Sequence, residues 1–396
     1  MKLAKTRYKA LTLVIIGFLS GCVEPFEYES ENFEKLIIIN AVITDEVKQQ
    51  EVYITNTTPI DEHHVSAETN AHVIVKDDLG TQYTFSEVEP GKYVSLNAFG
   101  AEDGKSYSLQ IETSNGRKYY SEEVNLVSGK KPVDVTPIRR VNDDGIIGVD
   151  ILVNSYDETN SSKYYRYEYE ETYQIISQYW SQDELLYGTM SCGRPFRLTP
   201  KLIEQPTCYQ TVESNSIIQA NTISLVEDRI GDFSVRFVPI TSTIIKDRYS
   251  ILVKQYVQSR DAYAYYEKIN KSLEEGNVFS QVQTGFVQGN VFSETSSNEN
   301  VIGYFEASSV VSNRVFFNFE DIFPDEDKPE FDCIVLSPPI QEEDSCPLLE
   351  YIEINYIYIR ENITPTEFEG PYTVVSGNCA DCTKLGTLEV PDFWID

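Results

Sequence analysis

The sequence predicts a mainly β protein: an N-terminal immunoglobulin- or transthyretin-like β-sandwich, then a larger β-rich domain with one amphipathic helix and disulfides. Three observations predict it. Tyrosine (27) and phenylalanine (19) abound while methionine (2) is scarce, and aromatic richness suits strands. Short runs alternate apolar and polar residues between Gly, Asn, Asp and Pro turn signals. One segment, after Ser259, stands out for apolar residues at helical spacing.

The chain opens on a leader. Lys2, Lys5, Arg7 and Lys9 precede an apolar run from Ala10 to Leu19, and Ser20 and Gly21 precede Cys22. A basic region, a short apolar region and a small-residue cleavage site read as a signal peptide over residues 1–21. The run is about half of the roughly 20 residues that a membrane helix needs. Leu19-Ser20-Gly21-Cys22 resembles a bacterial lipobox. That resemblance implies a lipidated Cys22 that becomes the first residue of the mature chain, and two or more acyl chains make a stable anchor. Residues 22–34 then form a lipidated acidic tether, with Glu24, Glu27, Glu29, Glu31 and Glu34 beside Pro25. Such a segment cannot bury a core and is expected to be extended. Acidic residues just after the cysteine resemble the export signal of Bacteroidota lipoproteins. The expected location is the outer membrane, lipid-anchored and facing the cell exterior.

Residues 35–128 read as the β-sandwich domain. Lys35 to Val42 is a strongly apolar strand, and Glu51 to Thr55 follows. His72 to Lys76 alternates and ends at the turn Asp77-Asp78-Leu79-Gly80. Tyr83, Phe85, Gly91 to Val94, Tyr107 to Ile111 and Tyr119 to Val124 continue the alternation. Asn115-Gly116 between two such runs is a strong hairpin signal. About seven short strands at this spacing point to a sandwich. Ser128 to Pro132 is short, polar and Pro-containing, and reads as the boundary.

Residues 133–396 read as the larger domain. Gly148 to Val153 is a strand. Lys163 to Glu171 alternates, placing Tyr165, Tyr167 and Tyr169 on one face and Arg166, Glu168 and Glu170 on the other. Ser177 to Ser216 is a polar excursion carrying Trp180, Cys192 and Cys208. Phe233 to Pro239 and Tyr249 to Tyr256 are strands. The helix follows: Ser259 caps it, Ala262, Tyr265, Tyr266, Ile269 and Leu273 form its apolar stripe, and Gly276 ends it. Gly303 to Ala307, Arg314 to Phe319 and a long final strand from Tyr351 to Ile359 complete the domain. Glu320 to Asp332 is a Pro-broken acidic loop.

Composition narrows the function. Hydrophobic residues make up 41%, enough for real cores. The net charge is −31, and removing the leader makes it more negative. Such a surface repels phosphate, which argues against nucleic-acid binding. Beyond Cys22 six cysteines remain: Cys192, Cys208, Cys333, Cys346, Cys379 and Cys382. An even number in an exported chain reads as a disulfide framework, with 15 full pairings open. Cys192 and Cys208 are close in sequence and are expected to pair, leaving two bridges among the last four. A Cys₄ zinc site is the alternative, but only Cys379-Ala380-Asp381-Cys382 has the C-x₂-C spacing. That motif also lacks the helix that redox chemistry would need after it.

Catalytic signatures are weak. The histidines are His63, His64 and His72, all early, and no G-x-S-x-G surrounds a serine, so a Ser-His-Asp triad has no support. Glu62, His63 and His64 make a poor metal set. Asp321, Asp325, Glu326 and Asp327 have calcium-compatible oxygens but not the EF-hand pattern. Carboxylates are too abundant for any pair to mark a glycosidase. Nucleotide motifs are absent. No metal and no cofactor are expected.

Several segments together resemble a family of Bacteroidota outer-membrane lipoproteins catalogued as a domain of unknown function. They are Tyr164 to Tyr169, Arg248 to Tyr256 running into the helix, Gly289-Asn290-Val291, Gly303 to Ala307, and Cys379 to Thr383 ahead of Pro391-Asp392-Phe393-Trp394. The resemblance implies pairing with a TonB-dependent receptor. The expectation is a non-enzymatic accessory subunit that captures a glycan or peptide. A surface enzyme using paired carboxylates and an adhesin or structural module are the alternatives.

Overall fold

The computed structural model describes residues 35–59, 66–129, 131–186, 196–202, 206–274, 287–296, 299–340 and 345–395. Cys22, the tether, the His63–His64 pair, Cys192 and Gly276 lie outside the described residues.

Strands dominate, as expected. The first stretch holds β1 (Ile37–Thr44), β2 (Glu51–Asn56), β3 (Ser66–Ala67), β4 (His72–Asp77), β5 (Gln82–Glu89), β6 (Lys92–Ser95), β7 (Ser106–Glu112), β8 (Lys118–Ser121) and β9 (Val124–Asn125). Next come β10 (Val133–Val141), β11 (Ile147–Asp157), β12 (Tyr164–Ile176), β13 (Asp183–Leu186), β14 (Arg197–Pro200) and β15 (Thr207–Glu213). Then follow β16 (Ile218–Asn221), β17 (Asp228–Pro239), β18 (Arg248–Val257) and the helix α1 (Arg260–Glu274). After α1 come β19 (Val291–Ser293), β20 (Val301–Ser308), β21 (Val310–Asn318) and the short helix α2 (Phe319–Ile322). The chain closes with β22 (Val335–Leu336), α3 (Pro347–Glu353), β23 (Tyr356–Glu361), β24 (Tyr372–Ser376) and α4 (Gly377–Ala380).

The N-terminal unit is one sheet in the order β19-β8-β7-β4-β5-β6-β2-β1-β20. The Asn115-Gly116 hairpin forms as read, with Gly116 at φ 82°. The sheet curls into a nearly closed barrel around a single core. Ile39, Ile54, Tyr93, Leu109 and Phe305 are fully buried in it, drawn from strands along the whole sheet. Burying each such side chain contributes about 1.5–3 kcal/mol relative to exposure. The sheet does not stop at the boundary read near Pro132. It takes β19 and β20 from beyond α1, and β20 pairs parallel to β1 from Ile37↔Val301 to Thr44↔Ser308. Asn290 closes the ring: its amide donates to Phe305 O at 2.8 Å and accepts from Phe305 N at 2.7 Å. A side chain thus replaces a rung of the ladder. Gly289 permits the approach, because a Cβ there would sit 1.6 Å from the Gly303 carbonyl oxygen.

The second unit is two layered sheets. The sheet β10-β11-β17 packs on β15-β12-β18-β21. Val149, Ile151, Val153 and Val238 meet Tyr165, Tyr167, Tyr249, Ile251 and Val253 between them. The alternation read in Lys163 to Glu171 is therefore a real face. Helix α1 starts where expected, with the Ser259 hydroxyl accepting the Ala262 N–H at 3.1 Å. Ala262 and Tyr265 are buried.

Three expectations change in the remainder. First, the Ser177 to Ser216 excursion carries β13 and β14, paired as a hairpin, and β15. The hairpin packs through Leu185 on Leu348, Tyr358 and Val374 of a small sheet, β22-β24-β23. Second, Tyr351 to Ile359 is not one strand. Pro347 starts α3 at its first positions, Leu348 is buried and Tyr351 and Ile352 pack beside it at helical spacing, and Asn355 at φ 78° follows its end. Third, Cys208 does not pair with Cys192. Cys208 bonds Cys382, and Cys333 bonds Cys379; Cys346 is also disulfide-bonded. Cys208 sits in β15, which the sheet carries to the C-terminal segment: Tyr209 and Thr387 exchange backbone hydrogen bonds of 2.8 and 2.9 Å. Sequence proximity does not decide pairing when a strand intervenes. The two cysteines of the C-x-x-C motif thus have separate partners, which removes both zinc and redox roles.

Candidate functional site

A cleft of about 490 Å³ lies between the two units. One wall is β1, β2 and β6; the other is β12, β15 and β18, and the pairing of strands brings Glu51, Lys92, Glu168 and Lys254 to it. Its floor is rigid. The buried Gln50 donates to Phe99 O at 2.7 Å and accepts from Thr44 N at 3.0 Å.

On the first wall β2 pairs with β6 so that Glu51, Tyr53 and Lys92 converge. Lys92 Nζ lies 3.0 Å from Glu51 Oε1, and the Tyr53 hydroxyl donates to Glu51 Oε2 at 2.6 Å. Burial and the bond to Glu51 push the Tyr53 phenol up to about 12. Burial works to raise the Glu51 carboxyl, but the bonds from Tyr53 and Lys92 outweigh it and hold it below the ordinary glutamate range.

On the second wall the period-two pattern sets Arg166, Glu168 and Glu170 toward the cleft side of β12. The Tyr256 hydroxyl donates to Glu168 Oε2 at 2.8 Å, and Arg166 pairs with Glu168. Behind it Arg166 Nη2 reaches Glu306 Oε1 at 3.0 Å, and Gln258 donates to Glu306 Oε2 at 3.2 Å. The guanidinium lies 4.4 Å from the Tyr256 ring and 5.3 Å from that of Tyr266, a cation–π sandwich. Burial opposes its charge, but Glu306 and Glu168 outweigh that and hold Arg166 charged. Burial likewise opposes ionisation of Glu168, yet Arg166 and the Tyr256 hydroxyl keep its carboxyl below the ordinary range. Glu170 is paired with Arg314 at 2.6 Å. Lys254, opposite Glu168 in register, is half-buried and forms no ion pair among the described residues.

The arrangement can hold a polar ligand. It offers tyrosine rings, paired carboxylates and the Lys254 ammonium, which acts on Glu168 across the register, over the hydrogen-bonded floor at Gln50. General-acid chemistry needs a carboxyl raised toward neutrality, and both Glu51 and Glu168 are shifted the other way. A larger hollow, about 940 Å³, lies in the C-terminal sheet, where Arg360, Glu361, Asn362 and Glu369 stand beside Pro338 and Pro339.

The other candidates from the sequence fall apart spatially. Among the described residues no three His, Cys, Asp or Glu side chains group as metal ligands. Asp321 instead caps α2 by accepting from Asn318 at 2.8 Å, and Glu326 pairs with Arg139 at 2.8 Å. His72 is exposed on β4. Trp180 lies near Lys201, 5.9 Å from its ring centre, away from the cleft. The cleft residues themselves carry no signature in the sequence, since they come from six strands.

A family model described as a domain of unknown function (DUF4249) matches residues 23–314. That span contains both walls of the cleft and Glu306 behind it. It ends within β21, before the C-terminal sheet. No curated protein matches the chain.

Proposed function

The chain belongs to the DUF4249 family of unknown function, and from that premise we propose a lipid-anchored outer-membrane lipoprotein that captures a ligand for a TonB-dependent transporter. The observation that carries the capture role is the inter-unit cleft. Its walls are prepaired by ion pairs and tyrosine hydroxyls, so it meets a ligand with little reorganisation. Its carboxylates are held ionised, which suits holding rather than bond breaking. The Leu19-Ser20-Gly21-Cys22 sequence supports the anchor and the acidic tether supports export to the cell exterior. The resemblance to Bacteroidota lipoproteins supports the transporter partnership. No helix among the described residues is long and apolar enough to cross a membrane.

The test is purification of the full-length chain from detergent-solubilised outer membranes. We expect an outer-membrane β-barrel receptor to co-purify, and Cys22→Ala to move the chain into the soluble fraction. Recovery without any barrel partner overturns the transporter role. Persistent membrane association of Cys22→Ala overturns the anchor.

A further inference from the structure

We propose that the outer face of β4, β7, β8 and β19 is a second binding site, specific for a neutral saccharide. The registers Ile74↔Gln110, Gln110↔Tyr120 and Tyr120↔Phe292 set these four side chains in one row across the strands. Neighbouring strands lie about 4.8 Å apart, so the row is a continuous strip. The Tyr120 and Phe292 rings are 6.0 Å apart and tilted by 36°. They form a shelf beside a hollow of about 560 Å³. Tyr120 is 45% exposed although it sits within a sheet.

A second row, His72, Glu112 and Lys118, runs beside the first. Lys118 and Glu112 lie 3.8 Å apart. The Gln110 amide, the Tyr120 hydroxyl and Ser108 are committed to no partner among the described residues.

The chemistry selects the ligand. A sugar ring presents an apolar C–H face, which an aromatic shelf covers, and a rim of hydroxyls, each both donor and acceptor. Gln110, Tyr120 and Ser108 can match them in both senses, and aromatic side chains that join an apolar body to a polar tip suit such half-wet contacts. Charge excludes the alternatives. Glu112, Glu123 and Glu294 surround the shelf; of the two lysines on this face Lys118 is already beside Glu112 and Lys76 stands opposite Ser108, so the carboxylates are in excess. An acidic polysaccharide would be repelled. A peptide adding as a strand needs a free sheet edge; β4, β7 and β8 are paired on both sides, and the outer edge of β19 is taken up by the Asn290–Phe305 seam to β20. The site does not rest on the transporter reading, because it stands on strands that do not line the cleft.

The test is calorimetric titration of the mature full chain with cellohexaose, maltohexaose, mannohexaose and xylohexaose, with polygalacturonate as the charged control. We expect one neutral oligosaccharide to bind. Tyr120→Ala should weaken it about tenfold, the loss of one aromatic contact with its area. Tyr120→Phe should retain most of the affinity, and Val226→Ala, exposed and outside both hollows, should leave it unchanged. Binding of none of the four, preference for polygalacturonate, or a Tyr120→Ala variant that is folded and binds as tightly as the parent each overturns the proposal. Tyr120 is exposed, so thermal unfolding separates lost binding from lost fold.

Discussion

Arg166 of β12 and Glu306 of β20 meet at 3.0 Å, with both side chains buried, and they belong to different sheets. The pair therefore ties the barrel-like unit to the layered one, directly behind the cleft. A buried ion pair need not add net stability, but removing one partner strands the other. Here Arg166 also neutralises Glu168, so its loss would leave two carboxylates, Glu306 buried and Glu168 at the cleft, without their shared guanidinium.

Arg166→Met is accordingly expected to destabilise the chain by about 3–5 kcal/mol in urea unfolding, the cost of an uncompensated buried charge. Arg166→Met combined with Glu306→Leu should recover the share of that loss due to Glu306, because that pair is then replaced by apolar volume, while Glu168 keeps the Tyr256 hydroxyl. A single variant within about 1 kcal/mol of the parent would show that water reaches Glu306 and that the junction is not dry.

The disulfide arrangement makes a covalent prediction. Peptide mapping without reduction should yield Cys208 linked to Cys382 and Cys333 linked to Cys379. The first bridge spans 174 residues, and closing so long a loop stabilises by roughly 2–5 kcal/mol. Cys208→Ser should lower stability in that range and loosen the Tyr209–Thr387 pairing. A Cys192–Cys208 peptide would overturn the assignment.

The acid side of the stability profile follows from Glu168. Its folded carboxyl is held below the unfolded value of about 4.3. Above about pH 4.3 both states are ionised and the stabilisation is complete. Below it the unfolded chain takes the proton first, so stability falls with pH until the folded carboxyl also protonates. Urea unfolding at a series of pH values should show this fall, and Glu168→Gln should be less stable near neutrality and flatter below pH 4.3. An equally steep fall in the variant would remove Glu168 as the source.

Local periodicity made much of this legible. The Tyr165, Tyr167, Tyr169 face, the Ser259 cap and the Asn115-Gly116 turn depend on neighbours within a few residues. Partnerships between distant segments were not legible. Nothing in Val301–Ser308 announces that it pairs parallel to Ile37–Thr44. Tyr351 to Ile359 satisfies period two by eye, yet Pro347 and the buried Leu348 choose a helix. The cleft was hidden for the same reason: Glu51, Lys92, Glu168 and Lys254 are ordinary strand residues until the sheets set them together. The charged face read at Arg166, Glu168 and Glu170 was half of that site without its other wall.

Asn290 gives the sharpest test of how the barrel closes. Its amide supplies both a donor and an acceptor to the backbone of Phe305, a fully buried residue. Asn290→Ala leaves an N–H and a C=O without partners, at about 1–3 kcal/mol each. The whole loss should be roughly 2–5 kcal/mol, large for one exchange of a polar side chain. Asn290→Asp keeps an acceptor for Phe305 N–H but offers no donor to its carbonyl, and it brings a charge into a dry seam, so it should not rescue. Hydrogen exchange locates the effect. Peptides covering Val301–Ser308 should lose protection in Asn290→Ala while those from β11 and β17 keep theirs, because the opening would be local to the seam. Unchanged protection at Phe305 would mean that β1 alone holds β20 in place.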